Sequence, residues 1–154
     1  MTTKLNRILL IDDSRADNFV HRRRIRQSAI TDEVIIKENG REGLDYMSRL
    51  LDDGCYPAPD LVFLDLNMPV LNGWEFLDGY EELDDNCKED IVLIVLTTSV
   101  AERDKERARA YDTVDGFLEK PLTIDKLNAV LREYFPDRVA KDAAAPSPSA
   151  RSGR

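Results

Sequence analysis

Five short apolar runs, separated by helix-like stretches, constrain the fold of this chain more than any other feature. The runs are rich in Ile, Val and Leu, and two of them, residues 61–64 and 91–96, contain no polar residue. Strands that are covered on both faces have this composition, because neither face meets water. The predicted strands are residues 7–11, 33–37, 61–64, 91–96 and 114–118.

A stretch with helical signals follows each predicted strand. Ser14 is a good N-cap for the first helix, and Ser99 is a candidate cap for the fourth. The predicted helices are residues 15–28, 40–51, 73–83, 101–110 and 123–135. Five successive strand–helix units predict a doubly wound α/β fold, the flavodoxin-like (βα)5 arrangement, with a five-stranded parallel sheet in the order 2-1-3-4-5.

Composition excludes several classes of function. The chain of 154 residues carries a net charge of -8, and nucleic-acid contact needs a basic face. The sequence shows no signal peptide and no apolar window long enough to cross a membrane. Cys55 and Cys87 lack the spacing of a zinc site or a disulfide framework. We therefore expect a cytoplasmic protein with neither nucleic acid nor a membrane as its partner.

The last part of the chain differs in composition from the rest. Residues 139–154 are mostly Ala, Pro, Ser and charged residues, which bury too little apolar surface to offset the entropy lost on ordering. We therefore predict one folded domain over residues 1–138 and a disordered tail over residues 139–154.

Three aspartates stand at the carboxyl ends of predicted strands. Asp12 and Asp13 follow strand one, and Asp65 follows strand three. These strands are neighbours at the switch point of a doubly wound sheet, so the three carboxylates should converge. Convergent carboxylates without His or Cys suit a hard cation, for which Mg²⁺ is the natural candidate. Strand-end aspartates that are simply solvated are the alternative.

Further polar residues are expected at the same edge. Pro69 and Gly73 predict a turn that restarts a helix and turns the backbone carbonyl of Asn67 towards the cation. Thr97 can donate a hydrogen bond to a phosphoryl oxygen, and Lys120 can neutralise one. The Lys120–Pro121 bond is a candidate cis peptide.

In this order, these residues resemble a receiver domain of the two-component response regulator family, over roughly residues 5–135. The resemblance implies the following roles: metal ligands Asp12, Asp13, Asp65 and Asn67; phosphoacceptor Asp65; phosphoryl-binding Thr97 and Lys120; switch residues Thr97 and Phe117. One position departs from the family pattern, because Thr98 stands where a smaller residue is usual.

The resemblance also implies a function. Asp65 would accept a phosphoryl group, in a reaction that needs Mg²⁺, from a sensor histidine kinase or a phosphotransfer protein. Thr97 and Phe117 would then switch a surface made by helix four, strand five and helix five, for partner docking or for a homodimer. The protein would be a stand-alone, chemotaxis-regulator-like switch rather than an enzyme, and it is similar to the group that pairs with phytochrome-type kinases.

Two other functions are compatible with parts of the sequence. A Mg²⁺-dependent phosphatase with an aspartyl nucleophile usually has an acid two residues after that nucleophile, where this chain has Asn67. A flavodoxin-like binding module needs a phosphate loop after strand one, and Asp12-Asp13 would repel a phosphate without a cation.

A basic patch interrupts the acidic sequence at residues 21–26, His-Arg-Arg-Arg-Ile-Arg. It is either a solvated helix face or, as the resemblance implies for helix one, a docking site for the acidic face of a kinase.

Overall fold

The computed structural model describes residues 4–52, 54, 58–68, 71–83, 88–98 and 101–137. The tail predicted over residues 139–154 lies outside this part of the chain. So do Cys55, Pro69, Cys87 and Ser99.

A five-stranded parallel sheet forms the centre of the molecule. Its strands are β1 (Ile8–Ile11), β2 (Val34–Lys37), β3 (Leu61–Leu64), β4 (Val92–Thr97) and β5 (Gly116–Glu119). They are ordered β2-β1-β3-β4-β5, which confirms the predicted doubly wound fold. In this register Leu64 pairs with Ile11 on one side and with Val95 on the other. The residues that follow β1 and β3 therefore emerge side by side.

In the described part of the chain, five α-helices cover the two faces of the sheet. They are α1 (Arg15–Ser28), α2 (Gly40–Asp52), α3 (Gly73–Glu81), α4 (Glu102–Arg109) and α5 (Ile124–Tyr134), and Lys88–Asp90 adds one 3₁₀ turn. Ile25 of α1 and Leu127 of α5 belong to the core on one face. Met47 of α2, Phe76 of α3 and Ala108 of α4 belong to the core on the other. Among the described residues, no helix is long and apolar enough to cross a membrane.

The ends of the helices follow the sequence closely. Ser14 caps α1 as predicted, with its side chain accepting a hydrogen bond from the Asp17 N–H. At α4, Ala101 occupies the N-cap position, and the predicted Ser99 cap lies outside the described residues. Only Ala108 of α4 is buried, so packing contributes little to fixing where this helix starts. The helix begins at Glu102.

Candidate functional site

The carboxyl-end edge of the sheet brings the three predicted aspartates together. The Asp65 N–H donates to the Ile11 carbonyl (2.9 Å), which ties the end of β3 to the end of β1. One carboxylate oxygen from each of Asp12, Asp13 and Asp65 lies within 4.8 Å of the others. Asp12 and Asp65 are buried, whereas Asp13 is exposed. The predicted convergence is therefore present, with one side open to solvent.

Asp12 is held in place by the start of α1. Its Oδ1 accepts a hydrogen bond from the Ser14 N–H (3.0 Å), and its carbonyl accepts one from Asn18 Nδ2 (2.8 Å). A carboxylate at this position also interacts favourably with the N-terminal end of the helix dipole. The cap that begins α1 therefore also orients a site residue.

Lys120 crosses the edge from the end of β5 and reaches three carboxylates. Its Nζ lies 2.6 Å from Asp12 Oδ2, 2.8 Å from Asp17 Oδ2 and 3.6 Å from Asp65 Oδ1. Burial alone would lower the pKa of Lys120, but the hydrogen bonds to Asp12 and Asp17 outweigh that effect and the pKa is raised. Lys120 therefore stays a cation beside Asp65.

The surroundings of Asp65 disfavour its negative charge. Burial, together with the neighbouring Asp12 charge, raises the pKa of Asp65 to about 6, although Lys120 opposes the shift. Two adjacent carboxylates and one ammonium leave uncompensated negative charge at this edge. An added cation would relieve that repulsion.

The turn after Asp65 depends on Gly73. A Cβ at Gly73 would lie 2.6 Å from the Asp65 carbonyl oxygen and 2.7 Å from the Leu66 Cα, so only glycine permits this approach. The Gly73 N–H donates to the Leu66 carbonyl (2.9 Å), and Asn72 and Glu75 form a capping box at the start of α3. Asn67, the fourth predicted metal ligand, is exposed within this turn.

Thr97 and Lys120 are joined through the backbone. Thr97 is the fully buried last residue of β4, and its carbonyl accepts a hydrogen bond from the Lys120 N–H (2.9 Å). The Lys120–Pro121 peptide is cis, as predicted. Both polar side chains of the predicted phosphoryl-binding pair are therefore attached to neighbouring strand ends.

Phe117 and Thr97 lie on the same face of the sheet. Phe117 pairs with Val95 in the parallel register, and Thr97 is two residues further along β4. Phe117 is partly buried and packs against the core that contains Phe76 and Ala108. The structure thus brings the two predicted switch residues to one face, with helix α4 on the same side.

The sequence did not identify three α1 residues at this site. Asp17 accepts a hydrogen bond from Lys120, and Asn18 and His21 are buried. His21 is 2% exposed, so it does not belong to the solvated helix face that was one of the two interpretations of residues 21–26. Asn18, His21 and Asp65 line a cavity of about 10 Å³, and Asn18 Oδ1 has no hydrogen-bond partner among the described residues. The i, i+4 spacing of Asp17 and His21, one turn beyond the acidic pair, was the available signal.

The donor set of this edge fits a divalent cation. Three convergent carboxylates, with no thiolate and no imidazole in the cluster, supply the oxygen ligands that hard cations prefer. One of the three is open to solvent, which leaves room for water or a phosphoryl oxygen. The arrangement can therefore hold a cation beside the buried Asp65 carboxylate and a fixed ammonium.

A family model described as "Response regulator receiver domain" matches residues 8–132. Among curated proteins, the chain is 39% identical over 100 residues to response regulator Rcp1 of Synechocystis, a match that covers 63% of this chain and 65% of Rcp1. The crystal structure of the Mn²⁺-bound form of Rcp1 is similar, with a TM-score of 0.64 and 30% identity over 87% of this chain and 96% of that one.

Two further solved structures are similar. A two-component response regulator from Cytophaga hutchinsonii has a TM-score of 0.78 and 30% identity, over 87% of this chain and 99% of that chain. The phosphorylated cyanobacterial phytochrome response regulator RcpA has a TM-score of 0.65 and 27% identity, over 83% of this chain and 89% of that chain.

Proposed function

The chain belongs to the response regulator receiver family, whose domains accept phosphoryl groups in two-component signalling, and we propose that Asp65 is its phosphoacceptor. The observation that carries this proposal is the position of Asp65. It is a buried carboxylate with a raised pKa, within 4.8 Å of the Asp12 and Asp13 oxygens, and the Lys120 ammonium is 3.6 Å away. The family points to a phosphodonor such as a histidine kinase.

The proposed transfer needs only a nucleophile and charge stabilisation. An Asp65 carboxylate oxygen attacks the phosphorus of a phosphohistidine, and a P–O bond forms as the P–N bond breaks. The leaving imidazole keeps the electron pair and takes a proton from water. Lys120 neutralises one phosphoryl oxygen, and the Thr97 hydroxyl donates to another. Later attack of water on the phosphorus returns the Asp65 carboxylate and releases inorganic phosphate.

We propose Mg²⁺ as the cation, held by the carboxylates of Asp12, Asp13 and Asp65 and by the carbonyl of Asn67. Magnesium retains water and shares its shell with substrate phosphate, which suits a cluster that is open on the Asp13 side. When bound, it supplies positive charge to the transferring phosphoryl oxygens. Asp12 and Asp13 contribute by fixing that charge beside the nucleophile.

We propose that phosphorylation is read out through the face that Thr97 and Phe117 share. New oxygens on Asp65 would draw the Thr97 hydroxyl towards them, and Phe117 would occupy the space released beneath α4. The surface of α4, β5 and α5 would then dock a partner or a second copy of the chain. In this proposal the protein is a cytoplasmic switch with self-phosphorylation and self-dephosphorylation chemistry, not an enzyme acting on other substrates.

For the phosphodonor, we propose a sensor histidine kinase of the phytochrome type or a phosphotransfer protein. The likeness to RcpA, a phytochrome response regulator, supports the first of these. The exposed surface of α1 supports an acidic partner face. Arg22, Arg23 and Arg26, with Phe19 and Gln27, line a groove of about 410 Å³ there.

Phosphorylation by acetyl phosphate tests this function without a kinase. With Mg²⁺ present, we expect intact-mass analysis to find one base-labile, acid-stable phosphoryl group on the wild-type chain. Asp65→Asn should take up none, and EDTA should abolish uptake by the wild type. Asp125→Asn is the control, because Asp125 is an exposed first-turn acid of another helix.

Two outcomes would contradict the proposal. Uptake by Asp65→Asn at the wild-type rate would mean that another residue is the acceptor. Continuous hydrolysis of phosphate esters would favour a phosphatase with an aspartyl nucleophile instead.

A further inference from the structure

Lys120 is held more closely by two other carboxylates than by Asp65. Its Nζ lies 2.6 Å from Asp12 Oδ2 and 2.8 Å from Asp17 Oδ2, against 3.6 Å from Asp65 Oδ1. The Lys120 side chain is only 8% exposed, and a buried ammonium needs such partners. We propose that Asp17 is a positioning residue that holds Lys120 for phosphoryl transfer to Asp65. This inference rests on the function proposed above.

The start of α1 fixes Asp17 for this contact. The Asp17 N–H donates to Ser14 Oγ (3.2 Å), which sets the residue in the first turn of the helix. A carboxylate there is stabilised by the helix dipole. The hydrogen bond from Lys120 lowers the pKa of Asp17 further, so it is ionised at neutral pH. The Asp17 side chain is 41% exposed, so it contacts Lys120 from the solvent side of the site.

Asp12 alone does not provide a dependable partner for Lys120. Its Oδ1 already accepts from the Ser14 N–H, and its Oδ2 accepts from Lys120. Asp12 is also one of the proposed cation ligands, and any oxygen shared with a cation is shared at the expense of Lys120. Asp17 lies outside that acidic cluster, so its bond to Lys120 does not compete with the cation.

The geometry allows Lys120 to keep Asp17 while it serves a phosphoryl oxygen. An ammonium has three N–H donors, and Asp17 uses one of them. A second can turn from Asp12 towards an oxygen on Asp65, because that carboxylate is already only 3.6 Å away. Without Asp17, the ammonium would remain with Asp12 and Asp65, where it competes for the nucleophile and for the cation site.

The test compares Asp17→Ala and Asp17→Asn with Asp125→Asn. Asp125 is also an acid in the first turn of a helix and is exposed, so the control removes the same charge from the first turn of a different helix. Two quantities are measured: the rate of phosphorylation by acetyl phosphate with Mg²⁺, and the NMR signal of the Lys120 ¹⁵Nζ, identified by its loss in Lys120→Gln.

We expect Asp17→Ala to slow phosphorylation about tenfold, the size expected when one hydrogen bond to a charged group is lost. Its Lys120 ammonium protons should exchange faster with water and its ¹⁵Nζ signal should shift, in the absence of phosphodonor. Asp125→Asn should match the wild type in both. If Asp17→Ala does not fold, the near-isosteric Asp17→Asn gives the same comparison, with a smaller expected loss.

A wild-type phosphorylation rate in the Asp17 variants would overturn the inference, whether or not the Lys120 signal changes. Slow phosphorylation with an unchanged Lys120 signal would also overturn the inference, because removal of the Asp17 charge, rather than displacement of Lys120, would then explain the slower rate. Failure of the proposed function gives a different result, because wild-type protein would take up no phosphate or Asp65→Asn would take up as much. The Lys120 signal still tests the Asp17 contact in that case.

Discussion

At the scale of single residues, the candidate site places one ammonium among several carboxylates. Burial makes the negative charge of these carboxylates energetically unfavourable. The effect is clear at Asp65, because burial and the neighbouring Asp12 charge raise its pKa to about 6. In the proposed function, phosphorylation of Asp65 or a bound cation would relieve this unfavourable burial of negative charge. The raised pKa of Asp65 should therefore be detectable in how the free energy of unfolding depends on pH.

We expect Asp65→Asn to stabilise the metal-free protein at neutral pH. Between the ordinary pKa of 3.8 and about 6, folded Asp65 holds a proton that the unfolded chain has lost. The free energy of unfolding therefore falls as pH rises through this window, by about 2–3 kcal/mol in all. Urea unfolding in EDTA should show Asp65→Asn more stable than wild type by that amount at pH 7.5.

At about pH 4, near the lower end of that window, the two proteins should differ little. The control Asp125→Asn should stay within about 0.5 kcal/mol of wild type at both pH values. An Asp65→Asn variant that is less stable than wild type at pH 7.5 would refute the prediction.

At the scale of elements, α4 is the helix that is least secured by the core. Only Ala108 of α4 is buried. The Arg107 guanidinium stacks over Trp74 of α3 at 4.1 Å from the ring centroid, and Trp74 stacks on Tyr111. Tyr111 Oη then donates to Asp78 Oδ1 (2.6 Å) on α3. Surface contacts with α3, rather than a buried stripe, therefore hold α4 in place.

We expect Tyr111→Phe to loosen α4 without unfolding the domain. Loss of its hydrogen bond to Asp78 is worth about 1 kcal/mol, so amide hydrogen exchange in α4 should quicken roughly fivefold. Tyr134→Phe is the matched control, because it also loses one hydroxyl bond, to the Asp115 carbonyl, on a different helix. Equal exchange rates in α4 for both variants would show that α4 is held by other contacts.

The sequence predicted the elements well because each carries its own local signal. Unbroken apolar runs identify β3 and β4, and Ser14 identifies the start of α1. The fourth helix was predicted over residues 101–110, within one residue of its observed ends, although only Ala108 of α4 is buried. Asp12, Asp13 and Asp65 were found because strand ends meet at one edge. Asp17, Asn18 and His21 were not, because their approach to the site depends on how α1 packs across the sheet.

At the scale of the whole molecule, charge is unevenly distributed. The chain carries a net charge of -8, yet Arg22, Arg23 and Arg26 gather on one side of α1 beside Phe19, which is 58% exposed. A cationic groove with an apolar centre on an acidic protein favours an acidic partner with an apolar anchor. The same helix supplies Asp17 to the candidate site, so partner recognition and chemistry would share one element.

We expect the double variant Arg22→Glu, Arg26→Glu to slow transfer from a cognate phosphorylated kinase by at least tenfold, with a weaker dependence on salt than the wild type. Phosphorylation by acetyl phosphate should be unchanged, because the small donor does not use the groove. Arg41→Glu, an exposed charge reversal on α2, is the control. Equal slowing with both donors would indicate damage to the site instead of lost docking.

The bond between Lys120 and Asp17 joins residues that are 103 positions apart in the chain. A ribosome makes Asp17 early and Lys120 late. A partly synthesised chain therefore contains Asp17 before it contains Lys120. Such a chain lacks the lysine that the proposed phosphoryl transfer requires. On that proposal, the ability to accept a phosphoryl group would follow only after the residue that follows β5 has been made.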